Sequence, residues 1–202
     1  MALLLSAVLD LDIRLFRLIF SWNGSQFVDR VMRAITHSGD GYLWGAMGLA
    51  LVRWEGSQAI PFVAAGAIAF AIHVPLYKLV KGAVSRPRPC DAISGVTNLV
   101  VAPDRFSFPS GHTATAFLMA TLCAQFFPEL YWLMIPWSCA IALSRVYLGV
   151  HFPLDVTRWA RSGVSAMHGW AFGSLNFSRH DHAQSLSRQL DVATPPARAG
   201  GG

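Results

Sequence analysis

The sequence predicts an all-α fold: a polytopic bundle of about five to six transmembrane helices with an N-terminal amphipathic helix. Three observations carry this. Of 202 residues, 53% are hydrophobic and only 13% are charged, against about 25% charged in an ordinary soluble domain. The apolar residues gather into blocks that approach the ~20 residues needed to cross a bilayer. The few charges collect in short polar islands between those blocks. A net charge of +5 suits an anionic lipid or a phosphate group. Nucleic acid is the poorest partner, because there is no Lys/Arg stripe and the only lysines are Lys78 and Lys81. Three cysteines, two of them (Cys123 and Cys139) inside apolar runs, argue against a disulfide scaffold.

Residues 1–22 are rich in Leu, Ile and Phe but interrupted by Asp10, Asp12, Arg14 and Arg17. These charges fall close together on a helical wheel, with Leu9, Ile13, Phe16 and Phe20 on another face. That pattern predicts a helix lying in the membrane surface, with a sixth span as the alternative. A secretory signal fits poorly, since no basic residue precedes Leu3–Leu5. The membrane-embedded domain is expected over 23–177. Its strongest span is 59–77, which carries no formal charge until Lys78. Residues 113–128 and 131–148 form two more, separated by a turn at Pro128 and Glu129. Residues 38–52 make a shorter span that borrows Ser38 and Asp40. Residues 156–176 make the weakest, with Arg158 and Arg161 in its first turns, where long side chains can snorkel. Trp22, Trp44, Trp54, Trp132 and Trp159 fall near span ends, as an aromatic belt requires. From 178 to 202 the chain turns polar and rich in Ser, Ala, Pro and Gly, the composition of a disordered extension.

Three polar islands carry the chemistry. Lys81 to Arg88-Pro89 follows the second span. Pro109-Ser110-Gly111-His112 precedes the third. Ser144-Arg145, His151 and Asp155 lie between the fourth and fifth. A chain that leaves the membrane after one span and re-enters at the next brings all three to the same side. Lys81, Arg88 and Arg145 then converge, and such a concentration of donors suits a tetrahedral phosphate dianion. Ser110 and Gly111 open a helix whose free N–H groups favour an anion. Gly111 lets backbone approach a ligand, and the Ser110 hydroxyl is placed to cap the helix. The i, i+4 spacing of His151 and Asp155 puts both on one helix face, where the carboxylate would orient the imidazole as a nucleophile. His112 is then the proton donor to a leaving oxygen.

These residues resemble the signature of the type 2 phosphatidic-acid phosphatase superfamily: K-x6-R-P, P-S-G-H and S-R-x5-H-x3-D, in order and at span ends. The resemblance covers about residues 25–175. It implies a metal-independent lipid phosphatase, with no cofactor, that works through a phosphohistidine. His151 would be the nucleophile, Asp155 its orienting partner and His112 the general acid. Lys81, Arg88, Ser110, Gly111 and Arg145 would hold the phosphate. The substrate class implied is a lipid phosphate or diphosphate: phosphatidic acid, phosphatidylglycerophosphate or undecaprenyl diphosphate. The expected location is a bacterial inner membrane with the site facing the periplasm. The alternatives are a phosphotransferase using the same site, or a non-catalytic phospholipid-binding or transport protein. One departure is the pair Arg158 and Arg161 beyond the last motif, read as snorkelling to lipid phosphates or as widening a head-group site. Elsewhere, Arg86 reads as a loop charge, Asp104 as a local partner of Arg105, and Cys90 as incidental. His37, His73 and His168 read as interhelical hydrogen-bonding residues.

Overall fold

The computed structural model describes residues 2–158. Among them seven α-helices follow one another: α1 (Ala2–Phe20), α2 (Gln26–Ser38), α3 (Gly41–Glu55), α4 (Ile60–Val84), the short α5 (Pro89–Ala92), α6 (Gly111–Phe126) and α7 (Tyr131–Tyr147). Short 3-10 turns over Gly56–Ala59 and Pro128–Leu130 join α3 to α4 and α6 to α7. Residues 153–158 are again helical. No strand occurs among the described residues, whose one isolated bridge pairs Pro87 with Phe106. The expected fifth span at 156–176 lies almost wholly outside the described residues, as do His168, Trp159, Arg161 and the polar extension at 178–202.

Helix α4 is, among the described residues, the one helix both long and apolar enough to cross a membrane. Its 25 residues, at about 1.5 Å each, reach roughly 37 Å against a hydrocarbon core of ~30 Å. Ile68, Ile72, Leu76 and Leu79 line its exposed side. Helices α3, α6 and α7 have 15, 16 and 17 residues and fall short of that length. The structure therefore supports one span by length and composition where the sequence predicts five to six. Helix α6 is the centre of the bundle: Thr113, Ala114, Ala116, Phe117, Met119, Ala120 and Cys123 are all buried. Small residues at 116 and 120 let α7 approach closely, and Ser138 of α7 donates a hydrogen bond to the Ala116 carbonyl at 3.0 Å.

Two of the expected faces are corrected. On α1 Asp10, Arg14 and Arg17 share an exposed face, but Asp12 does not join them. Asp12 is buried with Phe16, and Ile13, Ile19 and Phe20 pack beside them against Ile93, Val146 and Phe152. Leu4, Val8, Leu11, Leu15 and Leu18 are exposed too, a second helical face at i, i+4 and i+7 spacing. Trp44 is not a belt residue either. It is buried in a second core with Phe62, Met119 and Cys123, between α3, α4 and α6. Trp54 and Trp132 are exposed, as expected.

One glycine closes the route from α7 to the last motif. Gly149 has φ +78°, and a Cβ there would lie 2.9 Å from Phe20 Cε2 and 3.2 Å from the Thr97 carbonyl oxygen. Left-handed backbone and a clash with α1 act together. Gly149→Ala is expected to cost about 1–3 kcal/mol, read as a lowered melting temperature of the purified protein in detergent. An unchanged melting temperature would refute it.

Candidate active site

The three sequence islands meet. Lys81 ends α4, Arg88 is the N-cap of α5, and Ser110 is the N-cap of α6. Arg145 ends α7, and His151 with Asp155 follow it. Lys81, Arg88, Ser110, Arg145, His151 and Asp155 are all buried. His151 lies within the electrostatic reach of Arg145, Arg88 and Lys81, and the Ser110 amide donates to the Asp155 carbonyl at 3.4 Å.

Each cation is held in place by neutral or anionic groups. Arg88 donates from Nη1 to the Val150 carbonyl (2.6 Å), from Nε to the Asp104 carbonyl (2.9 Å) and from Nη2 to Asp104 Oδ1 (2.7 Å). Lys81 Nζ is 2.7 Å from both Asp104 Oδ2 and the Tyr77 hydroxyl. Asp104 thus bridges two of the cations expected to bind phosphate and does not serve as a local partner of Arg105. Burial pushes the Asp104 carboxyl up, but Lys81 and Arg88 outweigh it and hold it below its ordinary range. Arg145 Nη1 donates to Thr36 Oγ1 at 2.8 Å, while its buried Nε has no hydrogen bond among the described residues. A buried guanidinium with an unused donor, beside two further cations, suits an anion.

His151 is fully buried. Burial, then repulsion from Arg145, Arg88 and Lys81, holds its imidazole well below the ordinary value, against a backbone hydrogen bond with Ser107. It is therefore neutral near pH 7, the form a nucleophile needs. The expected pairing with Asp155 is looser than the spacing suggests. His151 Nδ1 lies 3.9 Å from Asp155 Oδ2, beyond hydrogen-bond reach. The reason is local: the helix starts at 153, so His151 precedes it and does not share a helix face with Asp155. Asp155 is the third residue of that helix and turns back to accept the Phe152 N–H at 2.8 Å, half of a capping box. The Ser107 hydroxyl donates to the same oxygen. Burial raises the Asp155 carboxyl above its ordinary range, and Arg86, Ser107 and Phe152 only partly offset it.

Arg86 is the clearest residue that sequence reasoning missed. It is no loop charge. Nη1 reaches Asp155 Oδ1 and Nη2 reaches Asp12 Oδ2, both at 2.6 Å, and the guanidinium lies 4.2 Å from the centre of the Phe152 ring. Asp12 Oδ1 also accepts the Leu154 N–H at 2.8 Å. A carboxylate inside an otherwise apolar helix face is costly unless paired. That cost was the available signal for Asp12, and it implied a buried cation elsewhere.

One other expectation, the Ser110 cap, is corrected. Ser110 stands at the N-cap but makes no side-chain cap bond; its hydroxyl accepts from Thr113 Oγ1 at 3.0 Å. The close approach that Gly111 permits is to Tyr77, whose ring would lie 3.0 Å from a Cβ at that position. His112, in the first turn of α6, bonds Asp40 through Nε2 at 2.7 Å. His37 Nδ1 reaches the other oxygen of Asp40 at 3.1 Å, across the α2–α3 turn.

The family model of the PAP2 superfamily matches residues 58–178, more than half of the chain and all three islands. The chain belongs to the PAP2 superfamily. Its fold agrees with solved structures. Over 78% of this chain and 92% of the other, the model matches LpxE of Aquifex aeolicus with TM-score 0.64 and 28% identity. It also matches a transmembrane PAP2-type phosphatidylglycerolphosphate phosphatase of Bacillus subtilis with TM-score 0.63 and 22% identity, over 83% and 87%. Among curated relatives, an undecaprenyl-diphosphatase of Sulfolobus acidocaldarius is 27% identical over 81% of this chain and 73% of its own. A decaprenylphosphoryl-5-phosphoribose phosphatase of Mycobacterium tuberculosis is 36% identical over 65% and 75%. This PAP2 protein is an integral-membrane lipid phosphatase.

Proposed function

We propose that the chain hydrolyses a polyprenyl-linked phosphate or diphosphate through a phosphohistidine at His151. The observation that carries this is a buried, neutral His151 faced by Arg145, Arg88 and Lys81. The cations and the helix N-terminus at Ser110–Gly111 would bind the phosphate and stabilise charge on its equatorial oxygens. His151 would attack phosphorus as His112 protonates the leaving oxygen, and water would then release phosphate with His112 as base. Asp155 acts through the backbone, by capping the helix that follows His151 and by anchoring Arg86. No step is assigned to a metal or cofactor.

The lipid side of the reading has its own support. An apolar groove of about 360 Å³ runs between α3, α4 and α6, lined by Trp44, Gly48, Val63, Gly66 and Met119 among others. Gly41, next in the chain to the Asp40 that bonds His112, is one of its lining residues, and the groove suits a hydrocarbon chain whose phosphate sits at the site. The polyprenyl substrates in the names of relatives at 27% and 36% identity favour an isoprenoid chain. A periplasm-facing site in a bacterial inner membrane completes the proposal.

The test is a substrate panel with purified protein in detergent, chelator present: undecaprenyl diphosphate, phosphatidic acid and phosphatidylglycerophosphate. Phosphate release is expected from all arms that bind, fastest from the polyprenyl diphosphate, and unchanged by EDTA. Preference for a glycerolipid would overturn the polyprenyl assignment, and loss of activity with EDTA would overturn the mechanism.

A further inference from the structure

The Asp40–His112 contact has no part in the scheme above. Asp40 is the N-cap of α3, where a carboxylate ordinarily turns onto the first N–H groups of its own helix. Here it makes no side-chain cap bond. Its two oxygens go to two imidazoles, His112 Nε2 at 2.7 Å and His37 Nδ1 at 3.1 Å. A carboxylate only accepts, so the nitrogen facing it carries the proton. The proton that His112 exchanges with substrate then sits on its other nitrogen, Nδ1.

We propose that Asp40 is the positioning residue for His112: it fixes the Nε2–H form, stabilises the imidazolium and assigns proton transfer to Nδ1. The inference rests on the phosphatase reading. In the first step His112 enters as the imidazolium, protonated on both nitrogens; the bond from phosphorus to His151 nitrogen forms as the bond to the leaving oxygen breaks, and the Nδ1 proton passes to that oxygen, leaving the neutral Nε2–H ring. In the second, water oxygen bonds phosphorus as the phosphorus–nitrogen bond breaks, and Nδ1 takes a proton from the water. Asp40 holds Nε2–H throughout and exchanges no proton. The site then has two histidine–aspartate partnerships of different kinds. Asp155 organises backbone around the nucleophile, while Asp40 touches the acid directly.

The experiment compares two substrates of the full-length enzyme in detergent. One is a lipid alkyl phosphate, whose alkoxide needs a proton to leave. The other is an alkyl-substituted nitrophenyl phosphate, whose phenolate leaves without one. Asp40→Asn is expected to lower kcat on the alkyl phosphate by about 10- to 100-fold, a share of what general acid catalysis supplies, with KM within about threefold. The first step on the nitrophenyl substrate, read as the pre-steady-state burst of nitrophenolate, stays within about threefold in rate, because the shared water-attack step does not enter it. Asp40→Asn added to His112→Asn costs nothing further, since the two act as one unit. Equal losses in the first-step rate on both substrates, or additive losses in the double variant, would overturn the inference. A direct readout is taken on the wild-type protein, with a variant used only to assign the signal. In wild-type protein with ¹⁵N-labelled histidine, the neutral His112 ring, assigned by its absence from His112→Asn, is protonated at Nε2; protonation at Nδ1 would overturn the inference. A wild type that releases phosphate from no lipid refutes the functional reading alone and leaves the ring protonation to decide this one.

Discussion

His151→Ala is expected to abolish turnover, lowering kcat by about four orders of magnitude or more, because a nucleophile has no substitute in a two-step transfer. The three cations and the α6 N-terminus remain, so the variant still binds inorganic phosphate as a competitive ligand. Retained turnover would exclude His151 as the nucleophile. The same residue sets a pH dependence. Its folded-state value is depressed by burial and by Arg145, Arg88 and Lys81. Between that value and its ordinary ~6.5 the unfolded chain binds more protons than the folded one, so acidification through this window lowers stability. Only at the lower end of that window is the folded nucleophile itself protonated. Stability should therefore fall first on the acid side and the loss of activity from this residue follow it, and a stability that rose there would contradict the assignment.

Arg86→Ala is expected to be the most destabilising single substitution in the site. It leaves two carboxylates, Asp12 and Asp155, with fully buried side chains and no cation between them. Removing one partner of a buried ionic cluster costs about 3–5 kcal/mol, and here it also detaches α1 from the segment behind His151. Arg86→Lys should recover less than half, because one ammonium cannot fork between two carboxylates as a guanidinium does. Asp12→Asn should be milder, since the pair between Arg86 and Asp155 survives. Equilibrium unfolding in mixed detergent reads these differences, and a loss below about 1 kcal/mol for Arg86→Ala would contradict the network.

How far the sequence led can be judged from particular residues. The cations and histidines of the site were legible because their spacing places them at helix ends. An alternating path through the membrane then brings those ends to one side. What spacing could not show was where an element begins. His151 and Asp155 are four apart, but the helix starts between them, so the direct imidazole–carboxylate pair does not form. Arg86 and Asp12 were illegible for another reason. They lie 74 residues apart, and each alone resembles an ordinary charge in a loop or on an amphipathic face. Only the cost of burying an unpaired carboxylate hinted at them. Asp104 reads from the sequence as a local partner of Arg105, but its partners are Lys81 and Arg88, which come from other elements. Asp40 was read as a polar residue borrowed by a span, whereas the α2–α3 turn aims it at His112. The helical class followed from composition; of the expected spans, α4 alone among the described residues has the length and composition to cross a membrane, and the fifth lies outside them.

The central claim is that phosphate passes through His151. The most direct test mixes purified enzyme with a ³²P-labelled polyprenyl diphosphate, quenches within one turnover under alkaline conditions that preserve phosphohistidine, and maps the label by peptide sequencing. The label is expected on the peptide containing His151, absent from His151→Ala, and cleared by a chase of unlabelled substrate. Label on another residue, or steady-state phosphate release with no labelled protein at any quench time, would contradict it.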